Sequence, residues 1–247
     1  MNKNSNSYIF IYASVMVVLV AVILTSANLA LKPLQKKNKE NEKMINLLKT
    51  IGIDSDAKTA SKLYNEHLIK EIVIDADGNE LSTYENGKLQ GDERAFNVNL
   101  KSALNDIAKN NKVAMPLFLM QNNGHKFYII PVYGKGLWGP IFGNVALKED
   151  KNTIAAVTFD HEGETPGLGA EIVKESFTGR FVDKEIFKDR KFVSVSVIKG
   201  GVANQSDVAA LNGVDAISGS TLTSNGVNNM LRDCMKNYVK YLNKEDN

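Results

Sequence analysis

A chain of 247 residues has room for one membrane segment and one sizeable domain, or for two small domains. Its net charge of +2, with no basic stripe interleaved with aromatics, excludes nucleic acid as a partner. The single cysteine, Cys234, excludes an internal disulfide and an all-cysteine metal or iron–sulfur site, and His67, His125 and His161 show no metal-ligand spacing.

Tyr8 to Leu31 is uncharged over about 24 residues, enough to cross a hydrocarbon core of roughly 30 Å as a helix. A cleaved signal peptide would have a shorter apolar core, and the small residues of Ser26-Ala27-Asn28-Leu29-Ala30 keep that alternative open. Membrane lipid is therefore an expected partner. Lys32, Lys36, Lys37, Lys39 and Lys43 follow the span, against Lys3 and the amino terminus before it. Charge bias by itself places the large domain in the cytoplasm. The stripe Met44, Leu47, Leu48, Ile51 predicts a helix over Lys36–Ile51, after a break or bend near Pro33.

A second amphipathic helix is predicted over Ala57–Ile69, then a strand over Glu71–Ile74 and a hairpin-type turn at Asp77-Gly78. Thr83 to Asn99 is polar and weakly patterned and reads as a loop-rich insertion, followed by a short helix over Leu100–Ile107. From Pro116 the β signal strengthens, with strands at Leu117–Met120, Lys126–Tyr133, Asn144–Leu147 and Ile154–Phe159. Their short linkers favour antiparallel pairing, because parallel strands need long crossovers. Phe192–Ile198 alternates cleanly and predicts one strand with a buried face. Val227, Met230, Leu231, Cys234, Met235, Tyr238, Tyr241 and Leu242 recur at helical spacing. The fold class is α+β: a single N-terminal transmembrane helix, then a domain of mainly antiparallel sheet with packed helices. The expected divisions are an anchor over 1–35, a helical or mixed stalk-proximal region over 36–115, and a ligand-binding domain over 116–247.

Four segments carry chemistry. Val214 to Val227 sets an acidic residue, Asp215, ahead of a run of small and hydroxyl residues that feeds the last helix. Such an N-terminus leaves peptide N–H groups unpaired and suits a phosphate. The same pattern is also that of an ordinary N-cap cluster. Gly134-Lys135-Gly136-Leu137-Trp138-Gly139-Pro140 allows a sharp backbone path that displays a flat apolar ring, or else flanks a core Trp with turn glycines. Glu164-Thr165-Pro166-Gly167-Leu168-Gly169 is a turn signal, with His161 read as a turn residue outside the site. Lys199-Gly200-Gly201 closes the alternating strand.

Asp215-x-x-Ser218-Gly219-(small)-Thr221 resembles the recognition motif of bacterial flavin transferases, which esterify FMN through its phosphate to the motif's final Thr. The longer run Ser218–Val227, with Gly136-Leu137-Trp138-Gly139 and Glu164–Gly169 in the same order, resembles the C subunits of the sodium-translocating NADH:quinone reductases. One departure is Ser220, where that family usually has Ala. The resemblance implies a covalent FMN phosphoester on Thr221. It also implies an FMN site lined by Leu137, Trp138, Gly139, Glu164, Thr165, Leu168, Gly169, Lys199, Ser218, Gly219 and Thr223, with no catalytic residue and no metal. Glu164 and Thr165 would hydrogen-bond the flavin, and the Lys199 charge would favour its reduced form.

By the same resemblance, the chain would be an electron carrier in a complex that oxidises NADH, reduces quinone and moves sodium. Its partners would be the other subunits of that complex, the flavin transferase during maturation, and lipid. It would cross the bacterial cytoplasmic membrane once with the flavin domain outside, against the charge bias. The lack of a catalytic triad or a Rossmann glycine loop suits a carrier. Three other readings stand: the homologous FMN subunit of an Rnf-type ferredoxin:NAD electron-transport complex, a membrane-anchored flavin-binding sensory module, and an anchored structural domain without flavin.

Overall fold

A computed structural model describes residues 5–109, 113–205 and 210–244. Lys3, counted in the charge bias, lies outside the described residues. Residues 1–44 and 45–247 form two compact units. Helix α1 (Asn6–Thr50) runs without interruption through Pro33, so the break expected there is absent. Proline removes one helical hydrogen bond, but the Leu and Lys residues around Pro33 favour helix strongly and carry the segment across. The apolar residues from Ile9 to Leu31 are exposed, and the helix is long and apolar enough to cross a membrane.

The second unit is built on a fully antiparallel sheet of seven strands, in the order β3-β2-β1-β4-β5-β6-β7. These are β1 (Leu68–Ile74), β2 (Glu80–Glu85), β3 (Lys88–Gln90), β4 (Met115–Asn122), β5 (His125–Lys135), β6 (Pro140–Leu147) and β7 (Ile154–His161). The boundary expected at 115/116 falls within β4. The loop-rich reading of Thr83–Asn99 needs correction, because β2 ends and β3 lies there. Asn86 and Gly87 both take positive φ, 51° and 77°, and form the two-residue hairpin turn that joins these strands. Helix α2 (Ala60–His67) precedes β1, and α3 (Leu100–Ala108) precedes β4.

Both faces of the sheet are covered, which explains why β4 is apolar from Met115 to Met120. On one face, Ile72, Ile74, Met115, Leu117, Ile130, Val132, Ile141 and Val145 share a core with α5 (Thr221–Met235). On the other, Leu47, Leu48, Tyr64, Phe118, Met120 and Ile129 are buried, and the Thr50 hydroxyl meets that of Thr158 at 2.8 Å. Glu71 is fully buried on this side. Tyr64 Oη donates to it at 2.9 Å, Phe96 N at 3.0 Å, and the Arg94 guanidinium forms an ion pair with it.

After β7 the chain makes a 3₁₀ turn (Gly169–Val173) and the short helix α4 (Glu175–Thr178). Phe159, Phe177 and Phe181 pack edge to face there, with centroids of 5.4 Å for the pairs made by Phe181. The predicted strand Phe192–Ile198 is broken in two. β8 (Phe187–Lys188) pairs with β9 (Lys191–Phe192), while β10 (Ser196–Ile198) pairs in parallel with β11 (Gly213–Asp215). Between β9 and β10, Ser194 takes φ of 62°, and the N–H groups of Val193 and Ser194 both donate to the Ile186 carbonyl. That shared acceptor ends the strand, a tertiary demand that alternation cannot show. The chain continues from α5 through a 3₁₀ turn into α6 (Val239–Leu242).

Candidate functional site

The hairpin between β5 and β6 turns over four residues, Gly136 to Gly139, closed by Gly136 N donating to the Gly139 carbonyl at 2.8 Å. Lys135 and Pro140 are the last cross-strand pair, so Leu137 and Trp138 stand at the tip. Trp138 is 70% exposed. It is a displayed ring, not a core tryptophan. Leu137, Leu168 and Leu222 are also large exposed apolar side chains.

Beneath the tip lies Glu164, only 4% exposed. Its Oε1 accepts Trp138 N at 2.9 Å and its Oε2 accepts the Thr223 hydroxyl at 2.6 Å. Burial alone would push the Glu164 carboxyl up. The Thr223 hydroxyl and the N–H groups of Trp138, Leu137 and Gly139 outweigh burial and hold it below the usual carboxylate range. Glycines make this approach feasible. A Cβ on Gly136 would sit 2.5 Å from Glu164 Oε1, and one on Gly169 would run into Oε2 and lie 2.6 Å from Thr223 Oγ1. His161, read as a turn residue, is instead the last residue of β7, paired with Ile141, and accepts the Glu164 N–H on Nδ1 at 3.2 Å.

Thr221 is the first residue of α5, and Ser220 at the N-cap position makes no side-chain cap. The first intrahelical bond runs from Ser224 N to the Ser220 carbonyl. The N–H groups ahead of it are the ones a helix leaves for an outside acceptor. Gly219 takes φ of 76°, and a Cβ there would come within 3.2 Å of Leu168. Ser220 is buried at 6% exposure and Thr221 half-buried, while Ser218 is exposed.

The structure therefore joins Leu137, Trp138, Gly139, Glu164, Leu168, Gly169, Gly219 and Thr223 around the start of α5, beside Thr221. Thr165 is exposed in the same loop, its carbonyl accepting from the N–H groups of Leu168 and Ala170. Lys199 is exposed, directly after β10. It is tied to the motif indirectly. Ala216 N donates to the Ile198 carbonyl at 2.9 Å, and Asp215 Oδ1 accepts Val202 N at 2.7 Å. Arg180 carries no sequence signal, yet its Nη1 donates to the Asp215 carbonyl at 2.9 Å and steadies the approach to the motif.

Two features agree with FMN as the ligand. The N-terminus of α5 offers peptide donors suited to a phosphate, and the exposed Trp138 and leucines offer an apolar surface for a flat ring.

Comparison with known proteins gives the same answer. Residues 136–236 match the FMN-binding domain family. The C subunit of the Na⁺-translocating NADH-quinone reductase of Vibrio alginolyticus is 32% identical over 212 residues, covering 84% of this chain and 81% of that one. The corresponding C subunit of Neisseria meningitidis serogroup B is 30% identical over 252 residues, covering 98% and 95%. The crystal structure of the C subunit from Parabacteroides distasonis superposes with a TM-score of 0.73 at 36% identity, covering 87% of this chain and 98% of that one. The chain belongs to the family of C subunits of the Na⁺-translocating NADH-quinone reductases.

Proposed function

We propose that this chain is the electron-relay subunit of a Na⁺-translocating NADH:quinone reductase and carries FMN as a phosphoester on Thr221. When bound, FMN supplies the capacity to accept electrons and pass them on. The protein's own residues do the rest. Thr221 Oγ1 provides the oxygen of the phosphoester, at a helix end whose peptide dipoles favour negative charge. Trp138, Leu137, Leu168 and Leu222 offer an apolar rim, and Thr165 an exposed hydroxyl within the same loop. Lys199 adds positive charge on the segment tied to Asp215.

The observation that carries this reading is the placement of Thr221. It is the half-buried hydroxyl at the first position of a 15-residue helix, whereas Ser220 is buried. The NADH and quinone sites belong to other subunits. The anchor crosses the cytoplasmic membrane once, with the flavin domain outside, where a flavin transferase can reach Thr221. Protease added to intact spheroplasts then digests the domain. Activity of a cytoplasm-only reporter fused after the last residue would reverse that orientation.

Intact mass of the chain, purified from its host or co-expressed with a flavin transferase, tests the attachment. The expected result is one FMN less one water, lost in Thr221→Ala and kept in Ser218→Ala and Ser220→Ala. Covalent flavin retained in Thr221→Ala would overturn the assignment.

A further inference from the structure

We propose that Glu164 is a positioning residue that never touches the flavin: its buried carboxylate locks the Trp138 hairpin tip to the start of α5. The proposal rests on Thr221 being the FMN attachment site. Four observations support it. Both carboxylate oxygens are already used, Oε1 by Trp138 N at 2.9 Å and Oε2 by Thr223 Oγ1 at 2.6 Å. The residue is 4% exposed, which leaves the carboxylate little surface for an outside ligand. Gly136 and Gly169 pack against the two oxygens so closely that no side chain fits between. The three partners are also far apart in the chain, with 26 residues from Glu164 to Trp138 and 59 to Thr223.

Thr223 lies two residues beyond Thr221 on the first turn of α5, and Trp138 is the displayed ring. One carboxylate thus fixes the distance between the point of attachment and the surface the ring packs on. A positioned ring depends on that distance, because a phosphoester by itself leaves the ribityl chain free to swing. The Thr223 hydroxyl spends its one proton on Glu164, and the residue is 1% exposed.

The test uses the full flavinylated chain with Glu164→Gln, Thr223→Val, Thr223→Ser and the double variant Glu164→Gln/Thr223→Val. The readouts are covalent flavin by in-gel fluorescence, flavin anisotropy, and quenching of flavin fluorescence by iodide. Thr223→Val, which removes the donor, is expected to keep covalent flavin but lower anisotropy and raise the iodide quenching constant about twofold or more, and Glu164→Gln, whose amide still accepts from Trp138 N and can donate to Thr223 Oγ1, to do so less. Thr223→Ser restores the donor and behaves as the parent. The double variant behaves as Thr223→Val alone, because the link to Thr223 is already broken there.

If Glu164→Gln changes the flavin and Thr223→Val does not, Glu164 contacts the flavin directly and the proposal fails. It fails equally if neither variant changes anisotropy or quenching. Should Glu164→Gln not fold, the contrast between Thr223→Val and Thr223→Ser decides alone. A parent chain without covalent flavin would instead overturn the attachment reading, and this proposal with it.

Discussion

The carboxylate of Asp215 accepts the backbone N–H of Val202 at 2.7 Å and so ties the segment ahead of Thr221 to the loop that follows Lys199. The acid at the head of the motif thus has a structural task inside the fold. An amide oxygen can accept the same bond. Asp215→Asn is therefore expected to flavinylate at a rate near that of the parent, and Asp215→Ala several-fold more slowly. Equal loss in both, followed by in-gel fluorescence over time, would mean that the transferase reads the negative charge.

Gly226 faces the carbonyl of Lys135. A Cβ there would lie 2.6 Å from that oxygen and 3.3 Å from Gly136 Cα. Backbone cannot move aside as a flexible side chain can, so Gly226→Ala should push α5 off the β5–β6 hairpin. The expected cost is about 1–3 kcal/mol, read as a fall in urea midpoint at unchanged m. An unchanged midpoint would show that the helix can slide without penalty.

Arg94 is the only charged group among the described residues that pairs with the buried Glu71, and it stacks over Tyr84 at 3.7 Å. Arg94→Ala leaves a carboxylate in the core with only Tyr64 and Phe96 N as donors. A loss of about 3 kcal/mol is expected. Glu71→Gln/Arg94→Met should recover part of it, and denaturant titration of the three chains is the check.

Glu164 also makes stability depend on acid. Its carboxyl is held below the ordinary 4.5 in the folded state. A depressed folded value stabilises the fold fully above the unfolded one, and that contribution fades as pH falls through 4.5 and then through the folded value. The stability gap between the parent and Glu164→Gln should therefore be widest at neutral pH and close in acid. A gap independent of pH would show that the ionised form is not what the site needs.

Cys234 is buried against β5, where its thiol donates to the Tyr133 carbonyl at 3.1 Å. Burial pushes the thiol up to about 11. It stays protonated at about pH 8, and the thiolate is the reactive form. Alkylating reagent should leave the folded chain unmodified at that pH and label it fully in denaturant. Prompt labelling of the folded chain would reveal opening of α5 from the sheet.

Local residue patterns were enough to read the long apolar N-terminal helix, the antiparallel β4–β7 meander, and the last helix with small residues at its start. Each is a short-range signal: an uncharged run, alternation between short turns, three- and four-residue spacing, and small residues at a helix start. Long-range contacts settled the remainder. Phe192 to Ile198 alternates like one strand, yet Ile186 captures two of its N–H groups and divides it. Pro33 signals a break or bend, yet its helix-forming neighbours carry α1 through without a break. Glu164 stood out by sequence as a group at a ligand site, and that its oxygens accept from Trp138 and Thr223 is visible only in the fold. Hydrogen-bond partners 26 and 59 residues away leave no trace in spacing or periodicity, because only the closed sheet brings those atoms within bonding distance.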